Sequence, residues 1–456
     1  MLTYDLKKSP GLPLYEALYR CIREDILTGK LLPGQKLPSR RALCANLKVS
    51  QITVEAAYSQ LLSEGYICSR EKVGYFVEAV QRHQPAPRSL PEPEEKSGPL
   101  VDLTANGSAG FPFSVWSRLQ RQVMLDLGEK LLLPLPNQGI LPLREAIARH
   151  LREFRGMQVN ARDILIGAGT DFLYNLLIQL LGRDLTYAVE EPGYGKIRRI
   201  YLSAGASCED APMDDQGVTV SALEKARVLH ISPAHHFPTG RVTPLQRRQE
   251  LLRWAETRDG WIIEDDYDSE FRFYSHPLPT LKSLDTQGRV IYMNSFSKTL
   301  APSIRMSFMV LPQGLMEKFR QQLGFYSCTV PSFEQYTLAR FLEEGYFEKH
   351  INRMRKFYLA RRDQVMDMIA RSPQSDRLTI LEEDAGLHFL VQVDTSLSDE
   401  QLVERCRQKG LLVQSLGSFY HGPVPIQHQK CLVINYSGLK DDDLDRLHTI
   451  ITGGFL

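Results

Sequence analysis

The sequence predicts a multidomain protein in which a small, mostly helical domain precedes a larger α/β domain. Its 456 residues exceed what one hydrophobic core usually organises. A proline-rich and charged stretch at residues 81–100 interrupts the apolar periodicity. After it, helical patterns alternate with short apolar strands, which is typical of a mostly parallel sheet. We therefore predict domains at 1–80 and 101–456, a linker at 81–100, and a smaller C-terminal α+β subdomain at about 333–456.

The first 80 residues are predicted to contain three helices, the second and third joined by a turn, and a β-hairpin. Apolar residues recur at helical spacing over Leu14–Ile26, and this pattern stops at Pro33-Gly34. Ser39 is placed to cap a short second helix, and a third is predicted over Thr53–Glu64. Residues 66–77 have two short apolar runs around a glycine-containing centre, which favours a β-hairpin. Together these elements predict a winged helix-turn-helix.

The third helix of this pattern begins with short polar side chains, which can enter the DNA major groove. Cations on the second helix and in the hairpin suit phosphates, guanine edges or the minor groove. Exposed arginines on a small helical module can also be ordinary solvated charges. The candidate DNA contacts are Arg41, Ser50, Gln51, Thr53, Arg70 and Lys72.

The larger domain is predicted from alternating periodicities. Apolar strands are predicted at Ile164–Ile166, Tyr187–Val189, Val228–Ile231, Trp261–Ile263 and Val290–Tyr292. Helices are predicted at Leu141–Phe154 and Thr170–Leu181. The C-terminal part shows one long amphipathic helical stretch from about Phe333 through Arg362, then short strands near Phe389–Val393 and Leu432–Asn435.

Three strand ends of this domain carry groups of different chemistry. Lys298 follows one strand, Asp265 follows another, and Gly167–Asp171 lead from a strand into a helix. A pyridoxal phosphate site requires a lysine for the Schiff base, an acid beside the pyridine nitrogen, and donors for the phosphate. Because α/β sheets collect ligand groups at strand ends, the three motifs are predicted to form one site.

Other residues near these strand ends complete the predicted site. Arg305 is suited to bind the phosphate, and the backbone N–H groups of Thr170 and Asp171 are suited to bind it as well. Ser295 and Ser297 are suited to donate hydrogen bonds to the phosphate or to the lysine loop. Tyr267 is suited to contact the ring oxygen of the cofactor. Taken singly, a lysine is usually solvated, an acidic run is often a loop, and Gly-x-Gly usually marks a turn. Their coincidence in one segment favours the cofactor site.

The net charge and the cysteines limit the class of protein further. A formal charge of +1 indicates neither a globally basic nucleic-acid-binding chain nor an acidic solvating one. Seven scattered cysteines without a CxxC pair argue against a disulfide framework and against a metal site. No signal peptide and no apolar stretch of about 18 residues is found. We expect a cytoplasmic protein with reduced thiols and no membrane partner.

The run Leu31–Tyr66, with its P-G-x-x-L-P-S-x-R-x-L core, closely resembles the DNA-binding domain of the GntR regulators. The resemblance covers nearly all of residues 12–78. It implies that the chain binds a double-stranded DNA operator. The matching contact positions are Arg41, Ser50, Gln51 and Thr53, and Gly74 matches the wing-tip glycine region loosely.

Residues from about 101 to 456 resemble the fold-type I aminotransferases, and most closely the MocR subfamily of GntR regulators, which fuses such a domain to a winged helix. The motifs are Pro142–Glu145, Glu191–Tyr194, Pro233–Gly240, Glu264–Phe273, Ser295–Arg305 and Ala385–His388. The resemblance implies pyridoxal 5'-phosphate held as an internal aldimine. The matching residues are Lys298 for the Schiff base, Asp265 for the pyridine nitrogen, Tyr267 for the ring oxygen, Arg305 for the phosphate and Tyr194 as a pocket aromatic.

Two positions depart from the aminotransferase pattern. Phe237 stands where aminotransferases commonly carry an asparagine before Pro-Thr-Gly, and Val433 aligns approximately with the arginine that binds an amino acid's carboxylate. The effector could then be pyridoxal phosphate itself, an amine, or an amino acid held by another cation such as Lys196 or Arg198.

The resemblance implies a pyridoxal-phosphate-dependent transcription regulator, in which occupancy by cofactor or effector modulates operator binding. It also implies a head-to-tail homodimer that presents two DNA-binding domains. The chain is not expected to be primarily an enzyme, and residual aminotransferase activity is left open. The alternatives are a true aminotransferase with an accessory DNA-binding module, and a DNA-binding protein whose large domain has lost its cofactor.

Overall fold

The computed structural model describes residues 2–4, 6, 13–70, 73–79, 100–107, 110–273, 278–383 and 386–454. The chain divides into two compact units, Met1–Lys96 and Ser97–Leu456. Apart from Leu100, the predicted linker lies outside the described residues.

The first unit is a three-helix domain with a β-hairpin. Its elements are α1 (Leu14–Leu27), α2 (Arg40–Leu47), α3 (Gln51–Ser63), β1 (Ile67–Arg70) and β2 (Gly74–Val77). The Ser39 hydroxyl accepts a hydrogen bond from the Ala42 amide at 3.2 Å, which confirms the predicted cap. The third helix begins two residues earlier than predicted, because Ser50 caps it through the Thr53 amide at 3.2 Å.

The core of this unit is formed where the three helices and the hairpin meet. Fully buried apolar residues come from every helix and from the first strand: Leu18, Ile22, Leu43, Val54, Ala57, Leu61 and Ile67. The hairpin is antiparallel and pairs Ile67 with Val77 and Arg70 with Gly74. The predicted winged helix-turn-helix is therefore present.

The second unit is built on an eight-stranded sheet. After the short strand β3 (Val101–Asp102), its strands are β4 (Ile164–Gly167), β5 (Thr186–Glu191), β6 (Ser207–Asp214), β7 (Gly217–Val218), β8 (Val228–Ile231), β9 (Trp261–Asp265), β10 (Val290–Ser295) and β11 (Ser307–Val310). The strand order is β4-β11-β10-β9-β8-β5-β6-β7. The central neighbours are parallel, whereas β11 is antiparallel to β10 and β4, and β7 is antiparallel to β6. The mostly parallel sheet is thus confirmed.

Helices are interleaved with the strands of this sheet. They are α4 (Phe113–Leu127), α5 (Leu141–Arg155), α6 (Thr170–Leu181), α7 (Gly195–Ser203), α8 (Leu245–Thr257), α9 (Leu281–Leu284), α10 (Phe296–Thr299) and α11 (Gln313–Gln322). Every residue from Val290 to Met293 is fully buried, as expected for a central strand that is covered on both faces.

The C-terminal part is an α+β subdomain. Its elements are α12 (Ser332–Glu343), α13 (Tyr346–Ala370), β12 (Leu378–Leu381), β13 (His388–Val393), α14 (Asp399–Gln408), β14 (Leu411–Leu412), β15 (Gln414–Ser415), β16 (Cys431–Asn435) and α15 (Asp441–Thr452). The prediction of one long helical stretch is wrong, because Gly345 adopts φ +70° and separates two helices. Strands β12, β13, β16 and β15 form an antiparallel sheet, and β14 pairs in parallel with β3.

All seven cysteines are free thiols. Among the residues that the structure describes, no helix has both the length and the apolar character needed to cross a lipid bilayer.

Candidate functional site

The predicted lysine and acid lie at the same edge of the large sheet. Strands β9 and β10 are parallel, and their register places Asp265 opposite Met293. Lys298 follows five residues after Met293, in the short helix α10 that begins where β10 ends. Because the carboxyl ends of parallel strands meet at one edge, the sheet itself brings these two functional groups together.

Lys298 is partly buried, and its ammonium group donates a hydrogen bond to the side-chain oxygen of Asn106. Burial disfavours the charged form and lowers the pKa of Lys298 to about 8, although the carboxylate of Asp268 opposes this effect. A lysine with a lowered pKa holds more of its nucleophilic amine form at neutral pH. The group therefore suits bond formation to a carbonyl carbon.

Asp265 is a buried carboxylate whose two oxygens differ in their hydrogen bonds among the described residues. Its Oδ2 accepts a hydrogen bond from the Tyr174 hydroxyl and lies 3.5 Å from Nε2 of His230. Tyr201 contacts the other ring nitrogen of that histidine at 2.6 Å. The other carboxylate oxygen of Asp265, Oδ1, has no hydrogen-bond partner among the described residues. A buried acceptor without a donor is unfavourable, so this oxygen fits the N–H group of a protonated pyridine ring.

The acids on either side of Asp265 point to the other face of the strand, as successive strand residues do. Glu264 is fully buried and accepts hydrogen bonds at 2.9 and 2.8 Å from the two backbone amides that begin α9. Asp266 accepts from Arg155 at 2.7 Å and from the Tyr292 hydroxyl at 2.6 Å. Both acids therefore bind neighbouring protein groups that surround the site.

Two cations and a helix start lie where β4 leads into α6. Nη2 of Arg305 is 3.2 Å from an Asp171 carboxylate oxygen, and Nζ of Lys196 is 2.6 Å from the same oxygen. Gly169 has φ +88°, and a Cβ there would lie 2.5 Å from Nη2 of Arg305. Thr170 is the first residue of α6, where backbone N–H groups are free to meet an anion. The predicted cation and the predicted helix start are thus adjacent, whereas the ion pair of the Asp171 side chain was not predicted.

Ser295 and Ser297 hold the loop that carries the lysine. The Ser295 hydroxyl donates to the Ser297 hydroxyl at 3.0 Å and accepts from the Ser297 amide at 3.2 Å and the Ser307 hydroxyl at 2.9 Å. These contacts agree with the predicted role in the lysine loop. The predicted contact of either serine with phosphate stays a prediction.

Aromatic and imidazole side chains extend from Tyr267. Its hydroxyl lies 3.3 Å from Nδ1 of His235, which is also 2.9 Å from an Asp268 carboxylate oxygen. Tyr194 is 52% exposed and meets the Phe237 ring edge-on, with the ring centroids 6.1 Å apart. Tyr267 is therefore close to the groups around the lysine, whereas Tyr194 is a half-exposed aromatic at one side.

The two positions that depart from the aminotransferase pattern lie in one apolar cluster. Val433 is buried in it, with Phe237 and Phe419 packed against it. Both cations that were considered for an amino acid's carboxylate are paired with acids. Lys196 binds Asp171, and Nε of Arg198 lies 3.1 Å from a carboxylate oxygen of Asp210.

Most of the candidate DNA contacts that the structure describes have solvent-exposed side chains. Arg41 and Gln51 are exposed, whereas Ser50 caps α3 and its hydroxyl lies 2.8 Å from the Thr53 hydroxyl. The Arg70 guanidinium stacks 4.5 Å from the centre of the Phe76 ring. The predicted contact at Lys72 lies outside the described residues.

Several site residues were not predicted. Asn106, Tyr174 and His230 belong to none of the motifs, and only the fold brings them to the site. His235 was not predicted either, although it lies inside the Pro233–Gly240 motif and could have been found from it. In the first unit, Ile52 lies next to Gln51 and is 79% exposed, which is unusual for an isoleucine.

Two family models match the chain. Residues 14–77 match the bacterial regulatory proteins of the gntR family, and residues 99–451 match the aminotransferases of class I and II. The first match covers the winged helix-turn-helix, and the second covers the domain that is built on the large sheet.

Relatives of similar length are regulators. The HTH-type transcriptional regulator YdeL of Bacillus subtilis is 33% identical, with 97% of each chain covered. The probable rhizopine catabolism regulatory protein MocR of Rhizobium meliloti is 32% identical over 95% of this chain and 92% of its own. Among solved structures, the kynurenine aminotransferase of Pyrococcus horikoshii is 26% identical with a TM-score of 0.67, over 78% of this chain and 92% of its own.

Proposed function

We propose a function from one premise: the chain belongs to the MocR subfamily of the gntR regulators, in which a gntR-type DNA-binding domain precedes a domain of the aminotransferase class I and II family. The chain is a DNA-binding transcription regulator that depends on pyridoxal 5'-phosphate. Occupancy of the site in the second unit changes the affinity of the protein for its operator.

The observation that carries the cofactor assignment is the pairing of Lys298 with Asp265 at one sheet edge. One is an amine whose pKa is lowered to about 8 by burial, and the other is a buried carboxylate with an oxygen to which no described residue donates a hydrogen bond. The Arg305 guanidinium, which lies against Gly169 just before the start of α6, adds a cation for a phosphate. The residues therefore fit the cofactor in three independent ways.

Each residue has a distinct role in this proposal. Bound pyridoxal 5'-phosphate supplies an aldehyde carbon and an electron-withdrawing ring. Lys298 presents its amine to that carbon, and Asp265 accepts a hydrogen bond from the protonated ring nitrogen. Arg305 and the start of α6 hold the phosphate, in place of the Asp171 carboxylate that Arg305 now contacts. Tyr267 holds the ring oxygen through its hydroxyl.

The effector is pyridoxal phosphate itself or an amine. An amino acid's carboxylate requires a cation, but Arg198 is paired with Asp210, and Lys196 is the cation that stays with Asp171 when Arg305 holds the phosphate. The apolar surroundings of Val433 and Phe237 further favour a ligand without a second anionic group.

The active form is a head-to-tail homodimer. The second unit exposes several large apolar side chains on α4, in the segment that follows it and after α11: Phe113, Leu125, Leu132, Leu133 and Phe325, each at least 62% exposed. A second copy of the chain would remove such side chains from water, and it would supply a second DNA-binding domain.

The test measures DNA binding and light absorption on the same protein. The probe is the duplex of about 40 base pairs that the cofactor-free protein enriches from a random-sequence pool. Addition of pyridoxal phosphate is expected to produce a visible band and to change the affinity for this duplex, and Lys298→Ala is expected to abolish both responses while leaving the DNA-binding unit folded. Unchanged affinity in the wild type would refute the regulatory role. Sustained multiple-turnover conversion of an amino acid to its keto acid would instead favour the aminotransferase alternative.

A further inference from the structure

The first described residues of the second unit lead directly to the lysine. Strand β3 is anchored by hydrogen bonds from the Val101 amide to the Gly410 carbonyl at 2.8 Å and from the Leu103 amide to the Leu412 carbonyl at 2.9 Å. Three residues after this strand anchor, the side-chain oxygen of Asn106 accepts the hydrogen bond from Lys298. Only a few residues therefore separate the site lysine from the segment that joins the two units.

The turn between the strand and Asn106 is firmly held. One carboxylate oxygen of Asp102 accepts hydrogen bonds from the Thr104 amide at 2.8 Å, the Thr104 hydroxyl at 2.7 Å and the Ala105 amide at 3.1 Å. A Cβ on Gly107 would lie 1.9 Å from the Ser437 carbonyl oxygen, so the two backbones touch there. A displacement of Asn106 is therefore passed along the backbone to β3.

Asn435 fixes the orientation of the Asn106 amide. Its side-chain nitrogen donates to the Asn106 oxygen at 3.0 Å, and its own side-chain oxygen is held by the Ser437 amide at 3.0 Å and the Ser437 hydroxyl at 2.7 Å. The Asn435 backbone amide also donates to the Leu103 carbonyl at 2.9 Å. The Asn106 oxygen thus accepts one hydrogen bond from Asn435, which is held in place by its neighbours, and one from the reactive Lys298.

We propose that Asn106 is the positioning residue through which the chemical state of Lys298 acts on the segment that joins the two units. This inference rests on the proposed function. It assigns the coupling to one hydrogen bond, which connects Lys298 to the turn after β3.

The chemistry of the lysine makes this hydrogen bond dependent on occupancy. The free ammonium group has three protons and donates one of them to Asn106. Before bond formation it loses one proton to solvent. The amine nitrogen then attacks the aldehyde carbon of pyridoxal phosphate, a carbon–nitrogen double bond forms, and the aldehyde oxygen leaves as water with the two remaining protons. The nitrogen then has no proton unless it takes one up again, and its direction is set by the double bond.

The two states of the lysine therefore make different contacts with the turn. A ligand shifts a conformational equilibrium only through contacts that differ between the states, and the bond from Lys298 to Asn106 is such a contact. When this hydrogen bond is lost, Asn435 is the remaining donor to Asn106 among the described residues, and the turn at Asn106 is no longer tied to the lysine loop. Residues 80–99 connect the segment that contains this turn covalently to the DNA-binding unit.

Two variants of opposite effect test the contact. Asn106→Ala removes the acceptor that stabilises the ammonium form, so more amine is present at pH 7. We expect the visible band to form about two to five times faster than in the wild type when pyridoxal phosphate is added. Asn106→Asp keeps an acceptor and adds a negative charge, so the band is expected to form more slowly than in the wild type. Asn137→Ala is the control, because that side chain binds the Gly324 carbonyl outside the site, and its rate is expected to match the wild type.

The coupling is tested with the enriched duplex used for the proposed function. The ratio of affinities without and with pyridoxal phosphate is expected to approach one in Asn106→Ala and to stay at the wild-type value in Asn137→Ala. If both Asn106 variants form the band at the wild-type rate, the contact is absent and the inference is wrong. If the rates change but the Asn106→Ala ratio stays at the wild-type value, the coupling is refuted while the proposed function stands. If the wild-type ratio is itself one, the proposed function fails and the coupling fails with it, whatever the rates.

Discussion

The rate at which Lys298 takes up pyridoxal phosphate is expected to follow the ionisation of the lysine itself. Burial lowers its pKa to about 8. The amine fraction then rises from about 9% at pH 7 to about 50% at pH 8 and about 91% at pH 9, whereas an ordinary lysine holds about 0.04% at pH 7. Because only the amine is nucleophilic, the rate should increase about tenfold from pH 7 to pH 9 and level off above that.

The assay mixes cofactor-free protein with an excess of pyridoxal phosphate and follows the visible band from about pH 6 to about pH 10. Asp268 opposes the effect of burial on Lys298, so Asp268→Asn is expected to move the midpoint to lower pH. Lys298→Ala is the blank, and it should give no band. A midpoint above about pH 10 would show that the lysine is solvated like any surface lysine, and a band in Lys298→Ala would refute its assignment.

Three further variants test other parts of the molecule. The double variant Arg41→Ala with Gln51→Ala should weaken binding to the enriched duplex by about 10-fold to 100-fold without altering the visible band, and equal affinity would exclude both residues as contacts. Gly169→Ala should weaken pyridoxal phosphate binding at least about tenfold by equilibrium titration, since its Cβ would lie 2.5 Å from Nη2 of Arg305. Tyr174→Phe leaves a second buried carboxylate oxygen without a donor, so the cofactor-free protein should lose about 1–3 kcal/mol of unfolding free energy in urea, and an unchanged midpoint would contradict this role.

The site residues that could be predicted from the sequence are those whose positions are fixed by the ends of strands. A buried strand can be recognised from its apolar run, and the residue after it must lie at the sheet edge, so Asp265 and Lys298 could be placed together without knowledge of the strand order. The same reasoning placed Thr170 at a helix start. The cap at Ser39 was predictable because a helix N-terminus has a local chemical signature.

The unpredicted parts depend on contacts between distant segments. Asn106 lies 192 residues from Lys298 in the sequence, and Tyr174 lies 91 residues from Asp265. No local pattern distinguishes an asparagine in a turn or a tyrosine inside a helix from others of their kind. The break at Gly345 was missed for a different reason, since the apolar periodicity continues on both sides of the glycine and only its positive φ separates the helices.

Three consecutive acids at the end of β9 differ in how their charge is balanced. Glu264 lies 3.7 Å from the fully buried Arg248, and Asp266 lies 2.7 Å from Arg155. Asp265 faces the opposite side of the strand, where its partners are a tyrosine hydroxyl and an imidazole. A buried carboxylate is stabilised when a positive charge and enough donors surround it, and the unpartnered oxygen of Asp265 lacks a donor among the described residues. A protonated ring nitrogen provides both the charge and the donor. The outer two acids therefore have a cationic partner in the cofactor-free chain, whereas the proposed cofactor would supply one to the middle acid.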